Sequence, residues 1–363
     1  MKQNTLQLDD IIDIKAPGVQ FTGWPTLTKT QSGELLAVYS GCRHHADPFG
    51  QVHLIRSRDG GKTWTWPRVL ADGILDDRDS GILQTRNGTL IVNWFSSLIW
   101  EWLMENSEPG SMPKDFSEAE QAEWQRRRAL LTDEIRAQEL GLWSIRSTDG
   151  GVTWSPKIPT LVNSPHGPCE LSDGRLLFAG NRRFDDISQT RRGSPFLPGK
   201  AGAAQSTDDG QSWQFIGEIP VAPGQNEFHA AEAADGSIIV HIRVNQDPHK
   251  SEVLQTESHD GGYTWSVPHP TGLWGYPAFL LKMQDDRLLT TFGHRREPFG
   301  NQISISEDNG KSWSPQVAIN TDSGTDMGYP STVELEPGRF ATLWYDFKDS
   351  GSAYLRLARW RLG

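Results

Sequence analysis

The chain has 363 residues, of which 10% are aromatic, with 15 Trp, 36 Gly and 22 Pro and a net charge of −11. That mixture suits many short strands joined by turns, and the acidic balance argues against a nucleic-acid or anionic-membrane partner. Two cysteines, Cys42 and Cys169, are too few for a disulfide framework or a four-cysteine metal site and are expected to be free, buried and reduced.

The first residues, Met1 to Asp10, contain no apolar core of a secretory leader. No run approaches the ~18 apolar residues of a membrane-spanning helix. A cytoplasmic location is therefore expected for the chain as given.

From there a turn-plus-strand unit recurs. It begins at Ser32-Gly33, Asn87-Gly88, Asp173-Gly174, Asp235-Gly236, Asp285-Asp286 and Pro337-Gly338, each time feeding an apolar strand. After each of the first five units comes a second motif, S-x-D-x-G-x-[ST]-W, at Ser57 to Trp64, Ser147 to Trp154, Ser206 to Trp213, Ser258 to Trp265 and Ser306 to Trp313. Its Asp accepts bonds from nearby backbone and its Gly supplies a positive φ, which makes a tight turn. The Trp fastens that turn to the sheet beneath. The sixth unit is followed only by Tyr354 to Trp360, a last strand. Repeats of this period predict an all-β, six-bladed β-propeller over 1–363, with the N-terminal segment closing the ring in the last blade.

One interval is too long. Gly88 to Ser147 is 59 residues, whereas Gly33 to Ser57 is 24. Ser117 to Glu120 has the form of a capping box, and Trp124, Leu131 and Ile135 follow at helical spacing. A helical insertion at about 101–140 is expected in the second blade, either as decoration or as a wall of the pocket.

In a propeller the chemistry lies where the inner strands converge on the axis, so the candidates flank the hairpins rather than the Asp motifs. In chain order they are Arg43, His44, His45 and Asp47; Arg78 and Asp79 in an Asp-rich run; His166; Glu227 and His229, with Arg243 in the next strand; Arg295 and Arg296; and Tyr329 at the entry to the last hairpin. No spaced metal-ligand motif occurs, and no cofactor is expected.

The repeated S-x-D-x-G-x-[ST]-W motif resembles the Asp-box of sialidase-type propellers, and the whole chain resembles the sialidase superfamily. Asn226-Glu227 with Arg243 resembles the segment carrying the glutamate and second arginine of the sialidase pocket. Gly328-Tyr329-Pro330-Ser331 resembles that of the tyrosine nucleophile, and Asp47 that of the acid/base aspartate. The resemblance implies a carbohydrate substrate and a retaining exo-glycosidase, with Tyr329, Glu227 and Asp47 as catalytic groups. Arg43, His44, His45, Arg78, Asp79, His166, His229, Arg243, Arg295 and Arg296 are the expected substrate contacts. One departure stands out. The N-terminal Phe/Tyr-Arg-Ile-Pro segment of the family is matched by Phe21-Thr22-Gly23-Trp24-Pro25, which has no arginine. Two other readings fit the same residues: a lyase acting on uronic-acid glycans through its histidines and Tyr329, and a non-catalytic glycan-binding propeller.

Overall fold

The computed structural model describes residues 5–15, 19–106, 117–184, 193–244, 251–347 and 352–363. The expected architecture is found: six antiparallel sheets arranged as the blades of a propeller. Blade 1 comprises Phe21–Lys29, Leu35–Cys42, Gln51–Ser57 and Arg68–Ala71; blade 2, Asp76–Gln84, Leu90–Ser97, Gly141–Ser147 and Ile158–Pro159. In blade 3, Val162–Asn163 and Cys169–Glu170 share the innermost position against Leu176–Arg183, followed by Phe196–Ser206 and Gln214–Ile219. Blade 4 is Gln225–Glu232, Ile238–Val244, Glu252–Ser258 and His269–Trp274; blade 5, Ala278–Lys282, Leu288–His294, Gly300–Ser306 and Val317–Ala318.

Blade 6 takes Met327–Glu336, Arg339–Asp346 and Tyr354–Leu362 from the C-terminal end and its outermost strand, Leu6–Ile14, from the N-terminal end. The register runs from Leu6 opposite Leu362 to Ile14 opposite Leu355. The ring is thus closed by hydrogen bonds between the two ends of the chain.

The six predicted hairpins all form. Gly33, Gly88, Gly174, Gly236 and Gly338 take positive φ at their turns, and Asp286 does so (70°) in the hairpin that lacks glycine. The core lies between blades. Leu35, Tyr39, Leu343 and Leu357 pack blade 1 against blade 6, and Leu177, Ala203, Phe228 and Val240 pack blade 3 against blade 4.

The Asp motifs sit in the turns after the third strands. In the first, Ser57 Oγ donates to Asp59 Oδ1 (2.8 Å), which also accepts from the amides of Lys62 and Thr63, while Thr63 Oγ1 donates to Asp59 Oδ2 (2.6 Å). Trp64 Nε1 closes the turn onto the Gly61 carbonyl (3.1 Å). These donors hold the exposed Asp59 carboxyl far below its ordinary range. All of its acceptor capacity goes to the turn itself, which makes the motif a fastening.

The insertion is helical, as expected. It consists of α1 (Ile99–Asn106), α2 (Glu118–Arg128) and α3 (Asp133–Glu139), between the second and third strands of blade 2; residues 107–116 of the expected range lie outside the described residues. The capping box is present, with Ser117 and Glu120 bonded reciprocally. Trp124 and Leu131 are buried with Trp100, Leu140 and Phe184.

Candidate functional site

Four innermost strands carry the same irregularity near the axis. Register shifts fall between Gly23 and Thr26, Arg78 and Gly81, Asn226 and Phe228, and Gly328 and Ser331. Inside these bulges Trp24, Asp79, Glu227 and Tyr329 adopt φ of 51°, 53°, 51° and 54°. In blade 3, His166 has φ 74°. A bulge with a left-handed residue re-aims a side chain, and for a bulky residue such a conformation costs on the order of 1–3 kcal/mol. Strain repeated at equivalent places marks a site rather than a fault. Gly328 (φ 131°) lets the last bulge form, and a Cβ on Gly293 would stand 2.9 Å from the Tyr276 carbonyl oxygen and 3.2 Å from Gly328 Cα. Glycine is required there for blades 5 and 6 to approach.

The bulges bring Tyr329 and Glu227 together. Tyr329 Oη donates to Glu227 Oε1 at 2.6 Å. Arg243 Nη1 donates to Glu227 Oε2 (2.6 Å) and to the phenolic oxygen (3.0 Å), closing a triangle of three groups from blades 4 and 6. The Arg243 guanidinium also lies over the Tyr276 ring at 4.6 Å. Burial and the neighbouring Glu227 carboxylate push the Tyr329 phenol well above its ordinary value, against the pull of Arg243. Burial disfavours the charge on Arg243, and the Glu227 carboxylate more than restores it.

Arg295 faces the same space. It donates to the Met327 carbonyl (2.6 Å) and to Tyr345 Oη (2.9 Å), and Tyr345 in turn donates to Asp326 Oδ1 (2.6 Å). Its neighbour Arg296 is turned outward, exposed, with its guanidinium 4.0 Å over Trp274 and Nε on His294 Nε2. Asp79 is buried, and burial pushes its carboxyl up to about 6, with Arg78 pulling the other way and Glu227 adding to the rise. It is also one of the carboxylates whose field reaches Tyr329. Trp24 occupies the axial bulge of blade 1, edge-on to Tyr329 at 6.4 Å. His45 stands over it, 4.9 Å between ring centres. His45 is exposed yet surrounded by protein, as befits a group lining a concave mouth. Enclosure first, then the charges of Arg78, Arg295 and Arg243, push it down to about 3, so it is neutral.

Of the other expected site residues, His166 lies beside Tyr329, ring centres 6.2 Å apart. Asp47 is fully buried, with Oδ2 accepting from the Arg43 amide (2.8 Å) and Oδ1 from the Phe49 amide (3.0 Å). Both oxygens hold the 43–49 loop. Arg43 and His44 face the insertion: Arg43 Nη1 is 2.7 Å from Glu123 Oε2, and His44 Nε2 is 3.1 Å from Glu120 Oε1. His166 and His229 are buried, ring centres 5.6 Å apart, with His229 stacked on Phe279 at 4.2 Å and its Nδ1 accepting from the Leu280 amide. Both histidines line a cavity of about 280 Å³ together with Leu27, Leu281 and Val333. Cys169 also lines that cavity and is half-buried rather than buried as expected; Cys42 is buried, and both thiols are free.

Tyr276 and Tyr345 were not picked out from the sequence. Tyr345 lies deep in an apolar strand run and Tyr276 just before one, and no local pattern distinguishes them from core. Among the described residues no cluster of His, Cys, Asp and Glu has the arrangement of a metal site.

A family model described as a BNR repeat-like domain matches residues 136–341. The chain is similar to a sialidase of Bacteroides fragilis (strain YCH46), 26% identical over 334 residues, covering 84% of this chain and 56% of that protein. A sialidase of Micromonospora viridifaciens is 25% identical over 345 residues, covering 88% and 49%. The chain therefore spans about half the length of the curated relatives it matches. Among solved structures, a protein of unknown function from Dyadobacter fermentans DSM 18053 superposes with a TM-score of 0.75 at 22% identity, covering 99% of each chain.

Proposed function

This chain belongs to the BNR repeat-like domain family, and from that premise we propose that it is an exo-acting glycoside hydrolase of sialidase type, removing a terminal sialic acid or a related acidic sugar. The observation that carries this reading is the 2.6 Å hydrogen bond from the Tyr329 phenol to Glu227, with Arg243 donating to both.

The chemistry follows from that contact. A phenol titrates near ~10 in water, and burial raises this one further. Tyr329 thus reacts as the neutral phenol and must lose its proton as it attacks. Glu227 is in position to take it. As Tyr329 Oη bonds to the anomeric carbon, the bond from that carbon to the leaving oxygen breaks, and an acid protonates the departing group. Water then attacks the anomeric carbon of the tyrosyl-sugar and gives its proton to the carboxylate that the acid became; the carbon–Oη bond breaks, and Glu227 returns its proton to the phenolate. A neutral nucleophile suits an anomeric carbon that bears a carboxylate, because a carboxylate nucleophile would be repelled by it.

Arg243 and Arg295 supply the charge to hold such a substrate, each backed by the Tyr276 ring at 4.6 and 5.4 Å. For the leaving-group proton, Asp79 is the better-supported donor. Its carboxyl is pushed up to about 6 and its Oδ1 is buried without a partner, whereas both Asp47 oxygens are engaged by backbone amides.

A panel of 4-methylumbelliferyl glycosides, including the α-N-acetylneuraminide and the β-glucuronide, tests the reading. Release of fluorophore by the wild type and its loss in Tyr329→Phe is the expected result. Unchanged release in that variant, or none by the wild type on any acidic sugar, would sink it.

A further inference from the structure

The arginine missing from blade 1 has a neighbour one blade away. Arg78 immediately precedes the bulge residue Asp79 on the innermost strand of blade 2, and only 9% of its side chain is accessible. Its carboxylate contacts are long: Nη1 is 3.5 Å from Asp76 Oδ2 and Nε is 3.8 Å from Asp79 Oδ1. Arg78 Nε and Asp79 Oδ1 are both buried and have no hydrogen-bond partner. Aromatic rings hold the guanidinium instead, with Trp24 at 4.3 Å and Phe95 at 5.9 Å.

Asp76 and Asp79 more than offset what burial costs the charge of Arg78, but their long contacts leave the Arg78 Nε–H without an acceptor, and a buried donor without a partner is costly. The charge is also directed at the site. Arg78, Arg295 and Arg243 all act on His45 at the mouth, and Arg78 and Tyr329 act on one another. Arg243 donates to the phenol (3.0 Å), Arg295 shares the Tyr276 ring with Arg243, and Arg78 lies on Trp24, whose ring centre is 6.4 Å from that of Tyr329.

We propose that Arg78, stacked on Trp24, makes the third contact to the carboxylate of an acidic sugar seated between it, Arg243 and Arg295. The blade 1 bulge residue, Trp24, thus supports the cation rather than supplying one. A guanidinium on an indole face keeps its N–H edge free for an anion. This assignment rests on the reading that the Tyr329 pocket takes a sugar, and it narrows that sugar to one carrying a negative charge.

The test is calorimetric titration of the full chain with N-acetylneuraminic acid, D-glucuronic acid and the methyl ester of each. The wild type is expected to bind at least one acid about tenfold or more tighter than its ester, as loss of a charge-assisted contact predicts. Arg78→Gln is expected to weaken the acid about tenfold and leave the ester within about twofold, with Arg78→Lys between. Equal binding of acid and ester, equal weakening of both by Arg78→Gln, or no binding of either acid would each overturn the proposal. The acid–ester comparison needs no variant, so misfolding of Arg78→Gln cannot shield the idea. Turnover of an acidic aryl glycoside with acid and ester bound equally would remove Arg78 and leave the hydrolase. Acid bound through Arg78 with no turnover of any glycoside would do the reverse.

Discussion

Tyr329 Oη lies 2.6 Å from Glu227 Oε1 although 102 residues separate them in the chain. Blades 4 and 6 are not adjacent; the curvature of the ring brings these groups together, each from a bulge of nearly the same φ. Such a pair acts as a unit. Tyr329→Phe is expected to lower kcat by at least ~10³-fold, because no other nucleophile takes its place. Glu227→Gln should lower kcat by ~10²–10⁴-fold, the usual range for a general base, with a smaller change in KM. Circular dichroism and steady-state kinetics on the same preparations would separate lost chemistry from lost fold. A Glu227→Gln enzyme with full kcat would remove the base from the mechanism.

Asp79 and Asp47 give opposite expectations. Burial raises Asp79 to about 6, so it carries its proton below that pH and loses it above. If it protonates the leaving group, kcat with a poor leaving group falls as pH rises through about 6. Asp79→Asn should flatten that limb and spare substrates with good leaving groups, whose departure needs little acid help. Asp47→Asn should leave the limb in place and instead loosen the 43–49 loop, since Asn keeps one acceptor oxygen where the carboxylate has two. The pH profiles of the two variants decide which aspartate is the acid; an Asp47→Asn profile without the limb reverses the assignment.

The helical insertion reaches the mouth through side-chain contacts. Arg43 and His44, two neighbours of His45, pair with Glu123 and Glu120 of α2, and Arg127 donates to the carbonyls of Gly73 and Ile74. The Arg43–Glu123 pair is partly exposed and is worth at most ~1 kcal/mol. Glu123→Lys should therefore leave the melting temperature nearly unchanged. Repulsion from Arg43 would displace the loop that carries His45, and KM should rise several-fold with kcat little altered. An unchanged KM would make the insertion a decoration.

Much of this was legible in the sequence because it is periodic. Five Asp motifs and six hairpins count the blades, and Ser117 with Glu120 announces a helix where the period breaks. Glu227, Arg243 and Tyr329 were legible for a related reason: each sits at a set distance from a hairpin, and the ring closure converts that distance into a place on the axis. What escaped depended on which way a side chain turns. Arg295 and Arg296 are adjacent in sequence, yet one faces Tyr345 and the other stacks outside on Trp274. Asp47 lies in a polar loop that reads as accessible, but two amides of that loop consume its oxygens. His166 and His229 read as pocket groups; both are buried, His166 with its ring 6.2 Å from that of Tyr329 and His229 stacked on Phe279. Arg78 was among the expected substrate contacts, but its stacking on Trp24 is a contact between blades, on which local pattern is silent.

That same run sets the pH dependence of stability. Burial drives Asp76 up to about 8, opposed by Arg78 and reinforced by Asp47 and Asp77, and burial also raises Asp77 to about 6. A carboxyl whose pKa is higher in the folded chain than the ~3.9 of an unfolded one binds its proton more tightly when folded. Stability is then greatest at or below the unfolded value and falls as pH rises through the folded one, here between about 4 and about 8. Asp76→Asn removes that titration while keeping the shape of the side chain. The wild type is expected to lose stability between pH 5 and pH 8, and the variant to lose less, by roughly 1 kcal/mol or more. Urea unfolding at both pH values measures the difference directly. Parallel losses in the two proteins would mean that Asp76 is already ionised in the folded chain, and that Arg78 has a full counter-charge after all.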